Sequence, residues 1–286
     1  MEGRIEKALS GFYYVNCEGV LHECRAVGKL RHQGMSPLVG DLVEFSEDGI
    51  VERILPRKNC FIRPSVANVD ALVFVATNTK PITDPFLIDR VTVIAEKSDC
   101  QVIVCINKQD LDTADELYDM YSKSGFQVVR TSAETGEGIS TLREAVAGKV
   151  SAFTGNSGVG KSSILNRLIP GADLETGEIS DKLGRGKHTT RHVELYRIDE
   201  QTYIADTPGF ASFDIQMMEE IETEELAFLF PDFRNYISEC RFRDCRHISE
   251  PECQLRRAVS DGAVIGSRYD SYVRLYDIVK NHKPWD

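Results

Sequence analysis

The sequence has no long apolar segment, no internal repeat and no low-complexity tract. No run approaches the roughly 20 apolar residues that a membrane-spanning helix requires. Residues 1–10 carry Glu2 and Glu6 and lack the apolar core of a signal peptide. These absences argue against membrane, secreted and fibrous proteins. They predict a cytoplasmic protein with one large domain or two to three smaller ones in 286 residues, and a monomer by default.

The sequence is also short of positive charge. Its net charge of −11 argues against indiscriminate binding to polyanions, because such binding depends on Lys and Arg neutralising phosphates. Residues 1–66 are the exception, with nine basic and nine acidic residues. Any contact with nucleic acid should therefore be local.

Short β-strands separated by turn residues are predicted in residues 1–66. Runs rich in Val, Tyr, Phe and Ile alternate there with Gly, Asn, Pro and Asp. The predicted strands are 3–7, 11–17, 20–27, 41–45 and 50–54. Five such strands favour a small closed barrel of the OB-fold type, although an SH3-like barrel would give a similar pattern.

From residue 70, apolar strand-like runs alternate with helix-like segments, which predicts a mostly parallel α/β sheet covered on both faces. These strands are 71–75, 102–106, 127–129, 150–153 and 203–205. After residue 214 the chain is acidic and helix-like (219–225), then rich in Cys and His, then helix-like again. We predict three domains: a small barrel over 1–66, an α/β domain over 67–213, and a mostly helical domain with the Cys- and His-rich segment over 214–286.

A phosphate-binding loop is predicted at residues 155–162, which fit the pattern G-x-x-x-x-G-K-[ST] between a strand and a helix. Its backbone N–H groups would surround the β-phosphate, and Lys161 would add positive charge at the β and γ oxygens. The Ser162 hydroxyl would complete a Mg²⁺ shell. A chance Gly-rich turn would lack the flanking strand and helix. The predicted phosphate-binding residues here are Gly155, Asn156, Ser157, Gly158, Val159, Gly160, Lys161, Ser162 and Ser163.

Two further motifs predict that the base is guanine. Residues 107–110 (Asn-Lys-Gln-Asp) resemble the N/T-K-x-D motif of GTPases, which implies that Asp110 binds the guanine N1 and N2 protons while Asn107 and Lys108 brace the base and the loop. Adenine offers no such pair of donors. Ser132 and Ala133 resemble the companion motif whose backbone meets guanine O6. Alone, residues 107–110 could form a simple turn before a helix; the two motifs together favour GTP and GDP.

The γ-phosphate side of the site is predicted downstream of the P-loop. Residues 206–209 (Asp-Thr-Pro-Gly) resemble the D-x-x-G motif, in which Asp206 would hold Mg²⁺ through a water and the Gly209 N–H would sense the γ-phosphate. Segment 184–190 consists of small and polar residues, and within it Thr190 is the expected Mg²⁺ ligand. Thr189 remains an alternative.

The catalytic polar group is not where many GTPases have a glutamine, because Phe210 follows the D-x-x-G motif and a phenyl ring cannot orient water. His188 is the best candidate within the chain, since a neutral imidazole can position the attacking water. We therefore assign catalysis to His188 together with Thr190. A solvated loop histidine, with the catalytic group supplied by a partner, remains open.

The motif order indicates a circular permutation. The guanine motifs at 107 and 132 precede the P-loop at 155, whereas ordinary GTPases carry them after it. Such a rearrangement is possible because domain termini often lie close together at the surface. The D-x-x-G motif then leads directly into the C-terminal block, so we hypothesise that nucleotide state is coupled to movement of that block.

A structural zinc site is predicted near the C-terminus, one per chain. The spacing C-x4-C-x-H-x5-C supplies three thiolates and one imidazole, an established tetrahedral set for Zn²⁺. The predicted ligands are Cys240, Cys245, His247 and Cys253. The spacing is not that of the C₂H₂ finger, so nucleic-acid binding does not follow from the metal. Surrounding arginines form either a solvated face or an RNA contact.

The permuted motifs, the small barrel and the Cys₃His spacing closely resemble, over essentially the whole chain, the ribosome-small-subunit-dependent GTPases, the RsgA family (also called YjeQ or YloQ). The resemblance implies an RNA-binding OB barrel over 1–66, a circularly permuted GTPase domain over 67–213 and a zinc-binding domain with a helical tail over 214–286. It also implies rRNA binding, late maturation of the small ribosomal subunit, and GTP hydrolysis that this subunit stimulates and that controls release or a checkpoint. Arg191 departs from the third threonine expected in many members.

Two other functions fit the same motifs. One is a permuted GTPase that acts on the large subunit or on another RNA, although such proteins usually lack the Cys₃His cluster. The other is a nucleotide-switched RNA-binding scaffold in which hydrolysis is incidental. A P-loop kinase would leave the motifs at Asp110 and Ser132 unexplained.

Overall fold

The computed structural model describes residues 1–28, 30, 35–62, 65–169, 171, 172, 174, 193–206, 218 and 220–281, with the backbone alone for Ile62 and Asp206. Three parts follow one another along the chain: a β-barrel, an α/β sheet, and a C-terminal block built mainly from helices and turns. Within the described part of the chain, no helix combines the length and apolar character needed to cross a bilayer.

The N-terminal strands close into a five-stranded barrel. They are β1 (Glu2–Leu9), β2 (Phe12–Cys17), β3 (Val20–Ala26), β4 (Leu42–Phe45) and β5 (Ile50–Ile54). Their order is β1-β2-β3-β5-β4, and β4 pairs back onto β1. β3 and β5 are parallel, whereas the other pairs are antiparallel. The predicted OB-like barrel is confirmed, and all five predicted strands lie within two residues of the observed ones.

A two-stranded hairpin, which the sequence analysis did not predict, leads out of the barrel. It consists of β6 (Cys60–Ile62) and β7 (Ser65–Ala67). Val66 makes a β-bridge with Val39, while Asn59 donates hydrogen bonds to the carbonyls of Val69 (2.8 Å) and Ser98 (3.0 Å). The hairpin therefore joins the barrel to the α/β sheet.

The central strands form a parallel sheet with one antiparallel edge. β8 (Ala71–Ala76), β9 (Gln101–Ile106), β10 (Gln127–Arg130), β11 (Val150–Thr154) and β13 (Tyr203–Asp206) run parallel in the order β10-β9-β8-β11-β13. β12 (Glu194–Arg197) is antiparallel to β13 and was not predicted. It also pairs with β1 through Glu194 and Lys7, so the barrel and the α/β part share one eleven-stranded sheet.

Helices cover both faces of this sheet, as predicted. They are α1 (Pro85–Lys97), α2 (Asp115–Lys123), α3 (Ile139–Val146) and α4 (Lys161–Leu168). In β8, Leu72 and Phe74 belong to one hydrophobic core and Val73 and Val75 to a second one. Successive side chains of a strand point to opposite faces, so β8 is buried on both sides.

The C-terminal block packs against α1. It contains 3₁₀ turns at Leu226–Leu229 and Pro231–Phe233, followed by α5 (Arg234–Ile237), α6 (Gln254–Ser260) and α7 (Gly266–Asn281). The predicted acidic helix over 219–225 is wrong, because the described residues 220–225 form turns and irregular backbone. Closely spaced glutamates repel one another on a helix, and the Glu225 carboxylate instead accepts the N–H of Glu222.

Candidate nucleotide site and metal cluster

The predicted nucleotide motifs follow neighbouring parallel strands. Asn107 follows β9, Ser132 lies two residues beyond β10, Gly155 follows β11, and Asp206 ends β13. The carboxyl ends of parallel strands meet at one edge of the sheet, where β11, the strand that precedes the P-loop, lies between β8 and β13. In open α/β sheets, ligands bind at this edge.

The P-loop is a turn that ends at Gly160 and opens α4 at Lys161. Gly160 has φ +92°, and a Cβ placed there would lie 2.3 Å from Asn107 Nδ2. A glycine is therefore required both for the conformation and for the close approach of the guanine motif. Ser162 and Ser163 lie in the first turn of α4, whose N-terminal N–H groups favour a phosphate.

Asn107 joins the P-loop to both guanine loops. Its side chain is buried and donates from Nδ2 to the Val159 carbonyl at 2.8 Å. Its Oδ1 accepts the Ala133 N–H at 3.1 Å and the Thr131 hydroxyl at 3.3 Å. The bracing of the loop that the motif implied for Asn107 is thus present as a set of three hydrogen bonds.

Asp110 is exposed at the rim of this edge and is oriented by Ser132. The buried Ser132 hydroxyl donates to Asp110 Oδ1 at 2.5 Å and accepts the Thr135 N–H at 3.1 Å. An exposed carboxylate held in one direction can accept two parallel N–H donors from a ligand.

A fourth loop, residues 77–84, meets these motifs and was missed by the sequence analysis. Lys108 Nζ donates to the Lys80 carbonyl at 2.8 Å, and Asn78 donates to Asp112 Oδ1 at 3.1 Å. A Cβ on Gly158 would lie 3.3 Å from Pro81. The signal for this loop was its position directly after a predicted strand that neighbours the P-loop strand.

The remaining predicted residues of the nucleotide site lie outside what the structure describes. His188, Thr190, its alternative Thr189, and Gly209 are among them, and of Asp206 only the backbone is described. Their assignments stay predictions.

Cys240, Cys245, His247 and Cys253 are brought together, with all four ligand atoms within 4.8 Å of one another. His247 Nδ1 lies 3.5 Å from Cys240 Sγ and 3.4 Å from Cys253 Sγ, and these two sulfurs are 3.9 Å apart. A tetrahedral zinc site has S–S edges of about 3.8 Å and S–N edges of about 3.5 Å. The cluster can therefore hold a metal ion. All eight cysteines are free of disulfide bonds.

Hydrogen bonds from outside the cluster hold its backbone. The Tyr269 hydroxyl donates to the His247 carbonyl at 2.7 Å, and the Tyr272 hydroxyl donates to the Arg246 carbonyl at 2.5 Å. Glu250 accepts the Arg246 N–H at 2.7 Å. Burial lowers the pKa of His247, which favours the neutral imidazole that binds metals.

The arginines around the cluster are mostly paired. Arg241 contacts Glu252 at 2.9 Å, Arg246 pairs with Glu224, and Arg234 reaches across to Glu96 on α1. Arg256 donates a hydrogen bond to the Glu250 carbonyl at 3.3 Å, and Arg257 forms an ion pair with Asp261 at 3.7 Å. Four of these arginines, Arg234, Arg241, Arg246 and Arg257, are thus paired with carboxylates.

Comparison with known proteins agrees with this architecture. The family model described as RsgA GTPase matches residues 54–216, and the one described as RsgA N-terminal domain matches residues 2–51. The chain is 41% identical to the small ribosomal subunit biogenesis GTPase RsgA of Alkaliphilus metalliredigens, over 99% of both chains. It is 43% identical to the Caldanaerobacter subterraneus protein of the same name, over 98% of this chain and 96% of that protein.

The chain belongs to the RsgA GTPase family. Among solved structures, YjeQ from Thermotoga maritima superimposes with a TM-score of 0.84 at 38% identity, covering 98% of each chain. YloQ, described as a circularly permuted GTPase, gives a TM-score of 0.82 at 36% identity, covering 100% of this chain and 96% of that one. The two RsgA models end before the Cys₃His cluster, but the full-length relatives extend over it.

Proposed function

We propose that this protein is a cytoplasmic GTPase that acts in late maturation of the small ribosomal subunit. It binds the rRNA of that subunit as a monomer and couples GTP hydrolysis to release of the subunit or to a checkpoint on it. The observation that carries the nucleotide part is the Asn107 side chain, which ties the P-loop to both guanine loops at one sheet edge. The relatives named RsgA support the ribosomal part.

Guanine recognition is assigned to the two loops after β9 and β10. Asp110 accepts the N1 and N2 protons of the base, and its direction is set by Ser132. Lys108 and Asn107 brace the pocket, and the backbone at Ala133 borders O6. Because adenine would leave the Asp110 carboxylate unpaired, GTP is preferred over ATP.

Phosphate binding and hydrolysis are assigned to the P-loop and to the segments that follow it. Residues 155–163 and the Gly209 N–H bind the phosphates, with Lys161 close to the β and γ oxygens. Ser162, Thr190 and Asp206 would hold the Mg²⁺ that enters with GTP and neutralises phosphate charge. His188 orients the attacking water beside Thr190, the expected Mg²⁺ ligand, for which Thr189 is the alternative.

The Cys₃His cluster is assigned a structural Zn²⁺. The donor set and the interatomic distances suit tetrahedral coordination, and all four positions come from the protein. When bound, the ion would hold residues 240–253 together and thereby fix the surface presented by the C-terminal block.

The test is GTP hydrolysis by the purified protein, with and without purified small ribosomal subunits. ATP and large subunits serve as controls. Stimulation by small subunits with GTP alone supports nucleotide, reaction and partner together. A rate that small subunits leave unchanged removes the ribosomal assignment but leaves the GTPase assignment standing.

Two variants test the enzyme assignment and the guanine assignment separately. His188→Ala should abolish the stimulated turnover of an enzyme, whereas a nucleotide-switched scaffold would keep its low rate and its RNA binding. Asp110→Ala should lose the preference for GTP over ATP. Asp119→Ala, which removes an exposed carboxylate of α2, is the matched control and should keep that preference.

A further inference from the structure

Arg167 contacts the guanine loop from the far end of the P-loop helix. It lies in the last turn of α4, and its Nη2 donates to the Glu134 carbonyl at 2.6 Å. A Cβ on Gly136 would lie 3.3 Å from Arg167 Nη1, so the guanidinium also packs closely on the turn of that loop. None of the predicted nucleotide motifs includes this arginine.

The Glu134 carbonyl shares a peptide unit with the Thr135 N–H. The unit is planar, so a bond that holds the carbonyl also holds the direction of the N–H. That N–H donates to Ser132 Oγ at 3.1 Å, and Ser132 Oγ donates to Asp110 Oδ1 at 2.5 Å. A continuous chain of hydrogen bonds therefore runs from Arg167 to the Asp110 carboxylate.

Hydrogen bonds in such a chain strengthen one another. Each donor in it is polarised by the bond it accepts, so the charged guanidinium at one end strengthens the hydroxyl–carboxylate bond at the other. The middle of the chain is buried at Ser132, whereas Arg167 and Asp110 are exposed. At the two exposed ends, water competes with the protein for the hydrogen bonds of Arg167 and Asp110.

We propose that Arg167 is a positioning residue for guanine recognition: it orients the Asp110 carboxylate through the Glu134–Thr135 peptide and Ser132. The inference rests on the proposed function, because it assigns the direction of the carboxylate that reads the base. Under this proposal, one side chain fixes the guanine loop relative to α4, the helix whose N-terminus binds the phosphates.

The test compares binding of GDP and IDP by titration calorimetry. Hypoxanthine keeps N1–H and O6 but lacks the 2-amino group, so it can pair with only one oxygen of Asp110. Wild type should bind GDP more tightly than IDP. Arg167→Ala should reduce the GDP-to-IDP affinity ratio about fivefold, the effect of weakening one hydrogen bond, while IDP affinity changes less.

Two further variants distinguish positioning from general support of the fold. Arg167→Lys keeps one donor and should restore most of the ratio. Arg143→Ala is the matched control: Arg143 donates to the carbonyls of Leu168 (3.0 Å) and Arg167 (3.3 Å), and among the described residues it has no hydrogen bond to the guanine loop. It should leave the ratio at the wild-type value.

Equal losses of GDP and IDP affinity in Arg167→Ala would overturn the proposal, and so would an Arg143→Ala ratio that falls as far. Thermal unfolding of each variant shows whether it is folded. If wild type itself does not prefer GDP to IDP, the guanine assignment of the proposed function fails, and this inference fails with it. A preserved wild-type preference with an unchanged Arg167→Ala ratio removes only the inference.

Discussion

Arg268 and Asp89 form an ion pair in which neither side chain is exposed to solvent. Arg268 Nη1 lies 2.6 Å from Asp89 Oδ1, joining α7 of the C-terminal block to α1 of the α/β part. Asp232 binds the same guanidinium through both its oxygens, at 2.6 and 2.9 Å. Phe126 and Phe230 lie against it at 4.9 and 5.1 Å. The C-terminal block is thus anchored by a buried charge cluster.

Removing this arginine should strongly weaken the anchor. Arg268→Met leaves Asp89 and Asp232 without their cation in a buried site, which should lower the free energy of unfolding by about 3–5 kcal/mol. Urea denaturation measures it, with hydrogen exchange in α7 as a local reporter. Arg274→Met is the control, because Arg274 is 61% exposed and 3.7 Å from Asp84, and should cost less than about 1 kcal/mol. Equal losses of unfolding free energy in the two variants would contradict the role of Arg268 as the anchor.

Gly160→Ala should disrupt the joint between the P-loop and Asn107. The new methyl group would lie 2.3 Å from Asn107 Nδ2, so the side chain must leave its bond to the Val159 carbonyl. We expect GDP affinity to fall at least about tenfold. Gly125→Ala is matched in backbone strain, with φ +87° but open space around it, and should leave GDP affinity unchanged. Calorimetric titration of both variants with GDP measures these affinities.

Metal removal should release the C-terminal block. We expect one zinc ion per purified chain by elemental analysis, and loss of hydrogen-exchange protection in α6 when a chelator removes it, since a structural zinc contributes folding free energy directly. Cys253→Ser should give the same loss without chelator. Cys17→Ser, a cysteine of the barrel, is the control and should retain the metal. Full zinc content in Cys253→Ser would refute the assigned ligand set.

Glu6→Gln should stabilise the protein at neutral pH. Burial raises the pKa of Glu6, and its Oε1 has no hydrogen-bond partner among the described residues. The ionised form is therefore disfavoured in the folded state, a penalty that is present above the folded pKa and disappears as the pH falls below the unfolded value of about 4.3. The groups that face Glu6 are Asn16, Arg197, Arg4 and Glu194.

The expected gain is at most about 1 kcal/mol at pH 7, because solvent screens a partly exposed group. It should shrink towards zero as the pH is lowered to 4, as measured by urea denaturation across that range. Glu47→Gln changes an exposed carboxylate of a barrel turn and should have no effect at either pH. A gain that grows at acid pH would show that the sign is wrong.

The nucleotide motifs were predictable because each is local in sequence. The P-loop at 155–162 and the guanine motif at 107–110 lie on loops that begin where a predicted strand ends, and the structure brings both to one edge. Arg167 was not predictable in this way. Its partner, the Glu134 carbonyl, is a backbone atom 33 residues away, and no side-chain pattern marks it.

By itself, the sequence determined the five barrel strands, five of the six strands of the α/β sheet, the motif order and the Cys₃His spacing, because strand period, turn residues and ligand spacing act over a few neighbouring residues. Only the tertiary structure decided that β12 joins the barrel to the α/β sheet, that Asn107 links three loops, and that Arg268 is neutralised by Asp89, 179 residues away. These contacts depend on how distant segments pack, and the cost of burying a polar group or charge then selects the partner that satisfies it.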